Sequence, residues 1–112
     1  MGQQKGGVLI TQFEIPSNDY GAVGVNLGIF NCTSKRIKYI SFKLQAYNPV
    51  DDKIGGVESV KGIGFIESKE EGYWEFDNVW FSDVLETVKL LSMTVEFEDG
   101  SVKTITDIDR VS

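Results

Sequence analysis

The sequence of 112 residues contains no histidine and only one cysteine, Cys32. Without histidine the chain lacks the commonest general base, the usual zinc ligand and every Ser-His or Cys-His nucleophile pair. A single cysteine excludes an intrachain disulfide and a thiolate metal cluster. We therefore predict a protein that is not an enzyme, with no catalytic residue, no metal and no cofactor.

The chain also lacks a run of about 20 apolar residues, so insertion into a membrane is not expected. Its first ten residues, MGQQKGGVLI, do not have the pattern of a signal peptide. The compartment stays open, because an exported protein from which a signal has been removed would look the same. Residues 1–6 are expected to form a flexible tail.

Acidic residues outnumber basic ones by 17 to 11, which gives a formal net charge of −6. A protein of this charge repels a phosphate backbone, so nucleic-acid binding is not expected. The charge is distributed unevenly: residues 1–61 carry 7 basic and 5 acidic side chains, and residues 62–112 carry 4 and 12. The asymmetry is compatible with head-to-tail self-association or a basic partner, and chance placement of surface charges is the simpler interpretation.

Alternation of apolar and polar side chains runs through most of the chain and predicts β-strands. The clearest example is the stretch KRIKYISFKLQAYNPVDDK, residues 35–53. Its alternate apolar side chains point toward a core: Ile40, Phe42, Leu44 and Ala46. The side chains between them point toward water: Tyr39, Ser41, Lys43 and Gln45. Asn48 and Pro49 end the strand, because asparagine favours turns and proline cannot donate to a ladder.

Similar patterns predict further strands at residues 8–15, 22–30, 60–67, 72–81, 89–98 and 102–108. In the second of these segments the inward side chains are Val23, Val25, Leu27 and Ile29. In the segment 89–98 they are Leu91, Met93, Val95 and Phe97. Glycines interrupt 60–67, which favours an edge strand or a bulged one. The turn at Asp99-Gly100 joins the last two strands in a hairpin.

Residues 82–88 are the exception to the strand pattern. Asp83 and Glu86 are spaced as in a capping box, which predicts one short helical turn. About seven strands in a chain of this length predict an antiparallel two-sheet β-sandwich of immunoglobulin-like or fibronectin-III-like type. It would form a single all-β domain over residues 1–112, and a small closed barrel is the alternative.

Several segments carry a recognisable pattern: K-R-I-K-Y-I-S-F at 35–42, Y-N-P-V-D-D at 47–52, N-V-W-F at 78–81 and D-G-S at 99–101, preceded by Asn31 and Thr33. Together they resemble an uncharacterised bacterial family of small all-β, immunoglobulin-like domains. The resemblance covers about residues 31–101, with no match over 54–66. It implies a small sandwich domain, often part of exported bacterial proteins, with no assigned catalysis.

Aromatic side chains are the first candidates for a binding site. Sugar rings or peptides stack on exposed aromatic residues, and the candidates here are Tyr39, Tyr47, Tyr73, Trp74 and Trp80. The alternation also allows a core position for Trp74 and Phe76, which Trp80 joins if Asn78 keeps the register. Both interpretations stand at this point.

The cluster Lys35, Arg36 and Lys38 is the second candidate, as a surface for an acidic protein partner or for the acidic half of another copy. The sequence thus predicts a non-catalytic binding or scaffolding module that mediates protein–protein interaction. Two alternatives are a carbohydrate-binding module that uses exposed aromatic residues, and a structural subunit whose edge strand pairs with a partner's sheet.

Overall fold

The computed structural model describes residues 4–5, 7–16, 21–106, 108 and 110–111. It contains nine strands: β1 (Gln4–Lys5), β2 (Val8–Glu14), β3 (Ala22–Asn31), β4 (Ile37–Tyr47), β5 (Lys53–Ile66), β6 (Glu71–Phe81), β7 (Thr87–Phe97), β8 (Val102–Ile105) and β9 (Arg110–Val111). No helix occurs in these described ranges. Within the flexible tail expected over residues 1–6, the strand β1 pairs with β2 through its backbone. Residues 1–3 and 6 lie outside the described residues.

The strands form two antiparallel sheets that pack face to face. The four-stranded sheet has the order β1-β2-β3-β6, and the five-stranded sheet has the order β5-β4-β7-β8 with β9 paired to β7. Seven strands have four residues or more. The predicted all-β antiparallel sandwich is therefore confirmed. The chain crosses between the sheets from β3 to β4, from β5 to β6 and from β6 to β7, as in immunoglobulin-like sandwiches.

One hydrophobic cluster fills the space between the sheets. Its centre is built by inward side chains of β3 and β4, all at most 1% exposed: Val23, Val25, Leu27, Ile29, Ile40, Phe42, Leu44 and Ala46. The alternation predicts every one of these positions correctly, because side chains along a strand point alternately to opposite faces.

A β-bulge in β7 changes which leucine reaches the core. The pairing of β7 with β4 shifts by one residue between Leu90 and Ser92. As a result Leu90 is 1% exposed, and Leu91 is only half-buried. The prediction that Leu91 occupies the core position is wrong, since a bulge adds a residue and reverses the alternation on one side of it.

A second irregularity buries a polar side chain. The pairing of β4 with β5 shifts between Leu44 and Ala46, and Gln45 lies at this point with 3% of its surface exposed. Its Nε2 donates to the carbonyl oxygens of Ile54 at 3.2 Å and Gly55 at 3.3 Å. The expectation that Gln45 faces water is wrong, because its amide supplies the hydrogen bonds that the ladder lacks there.

The short helical turn predicted near 82–88 is absent. Residues 82–86 form an irregular connection, and 87–88 already belong to β7. The Val84 N–H donates to Ser82 Oγ at 3.1 Å, a local turn that competes with helix formation. The Glu86 N–H donates to the Tyr47 carbonyl at 2.8 Å and so begins the pairing of β7 with β4. Tertiary pairing thus overrides the local capping signal.

The strand β5 lies at the edge of its sheet and is bulged, as the glycines of 60–67 predict. It begins earlier than predicted, at Lys53, because the preceding turn is compact. Asn48 Oδ1 accepts from the N–H groups of Val50 at 3.0 Å and Asp52 at 2.9 Å. This is the turn chemistry expected of asparagine.

Both tryptophans pack into the sandwich. Asn78 has a φ of 57° at a bulge between β3 and β6, and Trp80 beyond it is 4% exposed. Trp74 is half-buried, lies edge-on to Phe42 with ring centroids 6.0 Å apart, and donates from Nε1 to the Ile63 carbonyl at 3.3 Å. Trp74 therefore closes the gap between the edge strands β5 and β6.

Candidate functional site

The cluster Lys35, Arg36 and Lys38 is divided by internal contacts. Arg36 donates to Glu67 at 2.6 Å and to Glu98 at 2.7 Å, and its guanidinium carbon lies 3.8 Å from the centroid of the Phe65 ring. These hydrogen bonds raise the pKa of Arg36. Lys35 Nζ lies 3.1 Å from Asp99 Oδ2. The contacts surround a cleft of about 420 Å³ at one end of the sandwich. Lys35 and Arg36 thus hold loops together, whereas Lys38 forms no ion pair among the described residues.

Asp99 is the most strongly held carboxylate of this end. It accepts hydrogen bonds from the side chain of Ser101 at 2.6 Å and from its backbone N–H at 2.9 Å, and Lys35 adds a third contact. In that order of importance, these contacts lower the pKa of Asp99 to about 2.

The carboxyl of Asp99 should therefore titrate at a pH of about 2 in the folded protein, as followed by carbon-detected NMR of the side chain. A pKa that folding lowers contributes stability above the ordinary pKa of 3.8, and the contribution is lost as the pH falls toward about 2. Ser101→Ala should raise the titration midpoint more than Lys35→Met does. An unchanged midpoint in Ser101→Ala would contradict this assignment of causes.

The five aromatic candidates do not form one platform. Trp80 is in the core, and Trp74 packs against it. Tyr73 is 48% exposed on the outer face of the four-stranded sheet, opposite Gly28. Tyr39 and Tyr47 lie half-buried on the outer face of the five-stranded sheet. Stacking on a sugar normally uses neighbouring rings, and at most two of the five candidates share a surface.

The edge strands β5 and β6 also offer less than the structural-subunit hypothesis expects. Strand β5 is bulged twice, and β6 is bulged at Asn78. Bulges twist an edge away from incoming strands. The indole of Trp74 also bonds the Ile63 carbonyl of β5. A partner strand that paired with β5 or β6 would therefore face a distorted ladder, and on β5 the Ile63 carbonyl already accepts a hydrogen bond from Trp74.

The outer face of the five-stranded sheet gathers lysines from three strands. Strand pairing places cross-strand neighbours on the same side of a sheet. The pairs on this side include Ser41 with Lys61, Lys43 with Ser59 and Ser92, Tyr47 with Lys53, and Gln45 with Lys89. We define the lysine-tyrosine face as Lys38, Lys43, Lys53, Lys61, Lys89, Tyr39 and Tyr47.

The lysines of the lysine-tyrosine face are exposed, and none forms an ion pair with a carboxylate among the described residues. Two of them flank Tyr39: Lys61 Nζ is 4.9 Å and Lys38 Nζ 5.4 Å from its ring centroid. Lys89 Nζ lies 4.9 Å from the ring of Tyr47. Ammonium groups at these distances are attracted to an aromatic ring, so each tyrosine is held beside positive charge.

The opposite surface of the sandwich has the opposite sign. We define the acidic face as the outer side of the four-stranded sheet with Glu14, Glu71, Glu75, Asp77 and Tyr73, all exposed. Tyr73 donates to Glu75 Oε2 at 3.0 Å. Partial desolvation, this hydrogen bond and the nearby carboxylates of Glu75 and Glu14 raise the pKa of Tyr73.

Of the five lysines of the lysine-tyrosine face, the sequence singles out Lys38 alone as a candidate for partner binding. Alternation alone places Lys43 outward. Lys53, Lys61 and Lys89 come to lie beside it only through strand pairing, and Lys89 is 46 positions away from Lys43 in the sequence. No local signal contains that information.

Candidates for metal binding and thiol chemistry are few among the described residues. No group of three or more His, Cys, Asp or Glu residues in the described part of the chain is arranged to hold a metal. Cys32 is half-buried, with its backbone carbonyl bonded to Lys69 Nζ. Over the same residues, no helix has the length and apolar character needed to cross a membrane.

No protein-family model matches this chain, and no curated protein matches it. The resemblance of residues 31–101 to small all-β bacterial domains therefore stays a prediction that rests on the segments quoted above.

Proposed function

We propose that this chain is a non-catalytic protein-binding module whose lysine-tyrosine face takes an acidic protein surface. One observation carries the proposal: 5 of the 11 basic residues of a protein with 17 acidic residues lie on one face, and none of the five forms an ion pair among the described residues. Glu96, paired opposite Tyr39, is the one carboxylate among the described side chains of that face. The positive charge of the face is therefore almost unopposed locally.

The composition of the face suits a protein partner. Tyrosine is enriched at binding hot spots, where its ring supplies contact area and its hydroxyl a hydrogen bond. Hydroxyl groups lie between the lysines, on Ser41, Ser59, Ser92, Thr94 and Thr104. Lysines at the rim of such an interface accelerate encounter and select partners of opposite charge. An acidic surface with hydrogen-bond acceptors can bind the lysine ammonium groups, the tyrosine hydroxyls, and the serine and threonine hydroxyls.

The overall negative charge of the protein argues against a nucleic-acid partner. A duplex carries negative charge along its whole length, so on binding the face it also meets acidic side chains around the face. A folded protein partner presents a patch of charge, and at physiological salt interactions beyond about 8 Å are screened. A local basic face can therefore bind an acidic protein patch although the net charge is −6.

The proposal predicts that poly-glutamate shifts the backbone amide NMR signals of the lysine-tyrosine face. The double variant Lys43→Ser/Lys61→Ser should weaken poly-glutamate binding about tenfold, because it removes two of the five ammonium groups of the face. Lys103→Ser is the matched control: it is an exposed strand lysine that pairs with the inward-facing Val95, so it lies off the face. It should change affinity less than about twofold.

Shifts confined to another surface, or equal effects of the two lysine substitutions, would refute the assignment of the face. Stronger binding of a dT oligonucleotide or a heparin fragment than of poly-glutamate would reject a protein partner. Signals of Tyr39 and Tyr47 that respond to neutral oligosaccharides alone would replace the proposal with the carbohydrate-binding alternative.

A further inference from the structure

We infer that the acidic surface recognised by the lysine-tyrosine face is the acidic face of a second copy of this chain. The inference rests on the function proposed above and names its partner. Copies would stack with the five-stranded sheet of one against the four-stranded sheet of the next.

Charge complementarity is the first argument. Glu14 of β2 and Glu75 of β6 lie on the two strands that flank β3, and both pair with Asn26. Glu71 and Asp77 extend the same row of β6 in both directions. No lysine or arginine occurs among the described side chains of the acidic face. Five ammonium groups on one side of the molecule thus correspond to four carboxylates on the other.

The position of the tyrosines is the second argument. Tyr73 lies within the acidic face and pairs with Gly28, which leaves no side chain directly opposite the ring on that strand. Tyr39 and Tyr47 lie within the lysine-tyrosine face. Each face therefore combines a tyrosine anchor with charges of a single sign, which is the composition expected where contact area comes from aromatic rings and orientation from charge.

The area available is the third argument. The protein measures 42 × 25 × 24 Å, and each outer sheet face can use the two larger dimensions. A face of that size offers on the order of 1,000 Å², against about 800 Å² per partner in a standard interface. A stack is therefore large enough to be specific without any edge-strand pairing.

The symmetry of such a contact follows from the fold. The two faces are different surfaces on opposite sides of a sandwich, so the contact is heterologous. It leaves one unused face at each end of a dimer, and further copies can add to both. The assembly is expected to be open and to grow with concentration. Because charge supplies the orientation, it should also weaken with salt.

Sedimentation velocity tests the inference. Wild-type protein should associate at about 20 mM NaCl, and its association constant should fall about tenfold or more at about 300 mM NaCl. The variant Lys43→Ser/Lys61→Ser keeps only the acidic face, and the variant Glu14→Gln/Glu75→Gln keeps only the lysine-tyrosine face. Each alone should be mainly monomeric. Their mixture should form a 1:1 dimer that grows no further, because each partner caps one end. Lys103→Ser should associate like the wild type.

A wild-type protein that stays monomeric at millimolar concentration and low salt would overturn the inference. In that case binding of poly-glutamate to the lysine-tyrosine face would still support the proposed function, so the two failures are distinguishable. Oligomers that persist in either face variant, or a mixture of the two variants that stays monomeric while the wild type associates, would show that the contact lies elsewhere and would equally overturn it.

Discussion

Replacing Asn31 by alanine should lower the free energy of unfolding by about 3 kcal/mol. Asn31 ends β3, is completely buried, and is one of two buried polar side chains among the described residues. Its loss leaves several backbone groups without partners, and each orphaned buried group costs about 1–3 kcal/mol. Urea denaturation followed by tryptophan fluorescence measures the change.

The side-chain amide of Asn31 connects three parts of the chain. Nδ2 donates to the carbonyls of Lys35 at 2.8 Å, Ile66 at 3.1 Å and Glu67 at 3.2 Å. Oδ1 accepts from the N–H of Thr33 at 3.0 Å and from its hydroxyl at 2.6 Å. The loop before β4 and the turn between β5 and β6 are thus fixed to the end of β3 by a single group.

A pair of further variants distinguishes this role from a general loss of side-chain volume. Asn31→Asp keeps the shape but replaces the donating Nδ2 by a carboxylate oxygen that faces carbonyl oxygens, so it should be at least as damaging at neutral pH. Its carboxyl should have a raised pKa, and the protein should regain stability as the pH falls toward about 4. Asn26→Ala, on the outer side of the same strand, should change stability by less than about 0.5 kcal/mol. Equal costs for Asn26→Ala and Asn31→Ala would contradict the proposed role.

The contrast between these two asparagines shows what the sequence can predict. Alternation identifies the inward side of β3 and β4 residue by residue, because it depends only on backbone geometry. Asn31 falls on the inward side, opposite Val8, and its burial follows from that register. Its hydrogen bonds do not follow, because their acceptors lie up to 36 residues away along the chain.

Bulges and surface patches mark the limit of prediction in this protein. A bulge changes the face on which every later residue of a strand points, as Leu90 and Leu91 show, and the sequence carries no clear signal for it. Lys35 and Arg36 look like free charges in the sequence, but their acidic partners come from two distant turns. The lysine-tyrosine face is hidden for the same reason, since it exists only once three strands lie side by side.

Two glycines of β3 give the second large effect. The alternation treats Gly24 and Gly28 alike, and both are buried. A Cβ on Gly24 would lie 2.4 Å from the Phe76 carbonyl oxygen and 3.3 Å from the Asp77 Cα, which are backbone atoms of β6. A Cβ on Gly28 would instead meet Thr11 Oγ1 at 2.8 Å and the Gln12 Cβ at 3.2 Å, both in side chains.

Gly24→Ala should therefore cost about 3 kcal/mol or more, and Gly28→Ala less than about 1 kcal/mol, in the same denaturation experiment. Both substitutions reduce the entropy of the unfolded chain equally, so that effect cancels in the comparison. At Gly28 the Thr11 hydroxyl can rotate away, and the Gln12 Cβ needs to move by only a few tenths of an ångström. At Gly24 the contact with the Phe76 carbonyl oxygen is relieved only if β6 moves its backbone at the bulge beside Trp80. Equal costs would show that β6 yields as easily as a side chain.

Gly24→Ala should also weaken self-association. The Phe76 backbone that an alanine side chain would displace lies between Glu75 and Asp77, which belong to the acidic face. Close packing between β3 and β6 is thus linked to the surface that a second copy would recognise.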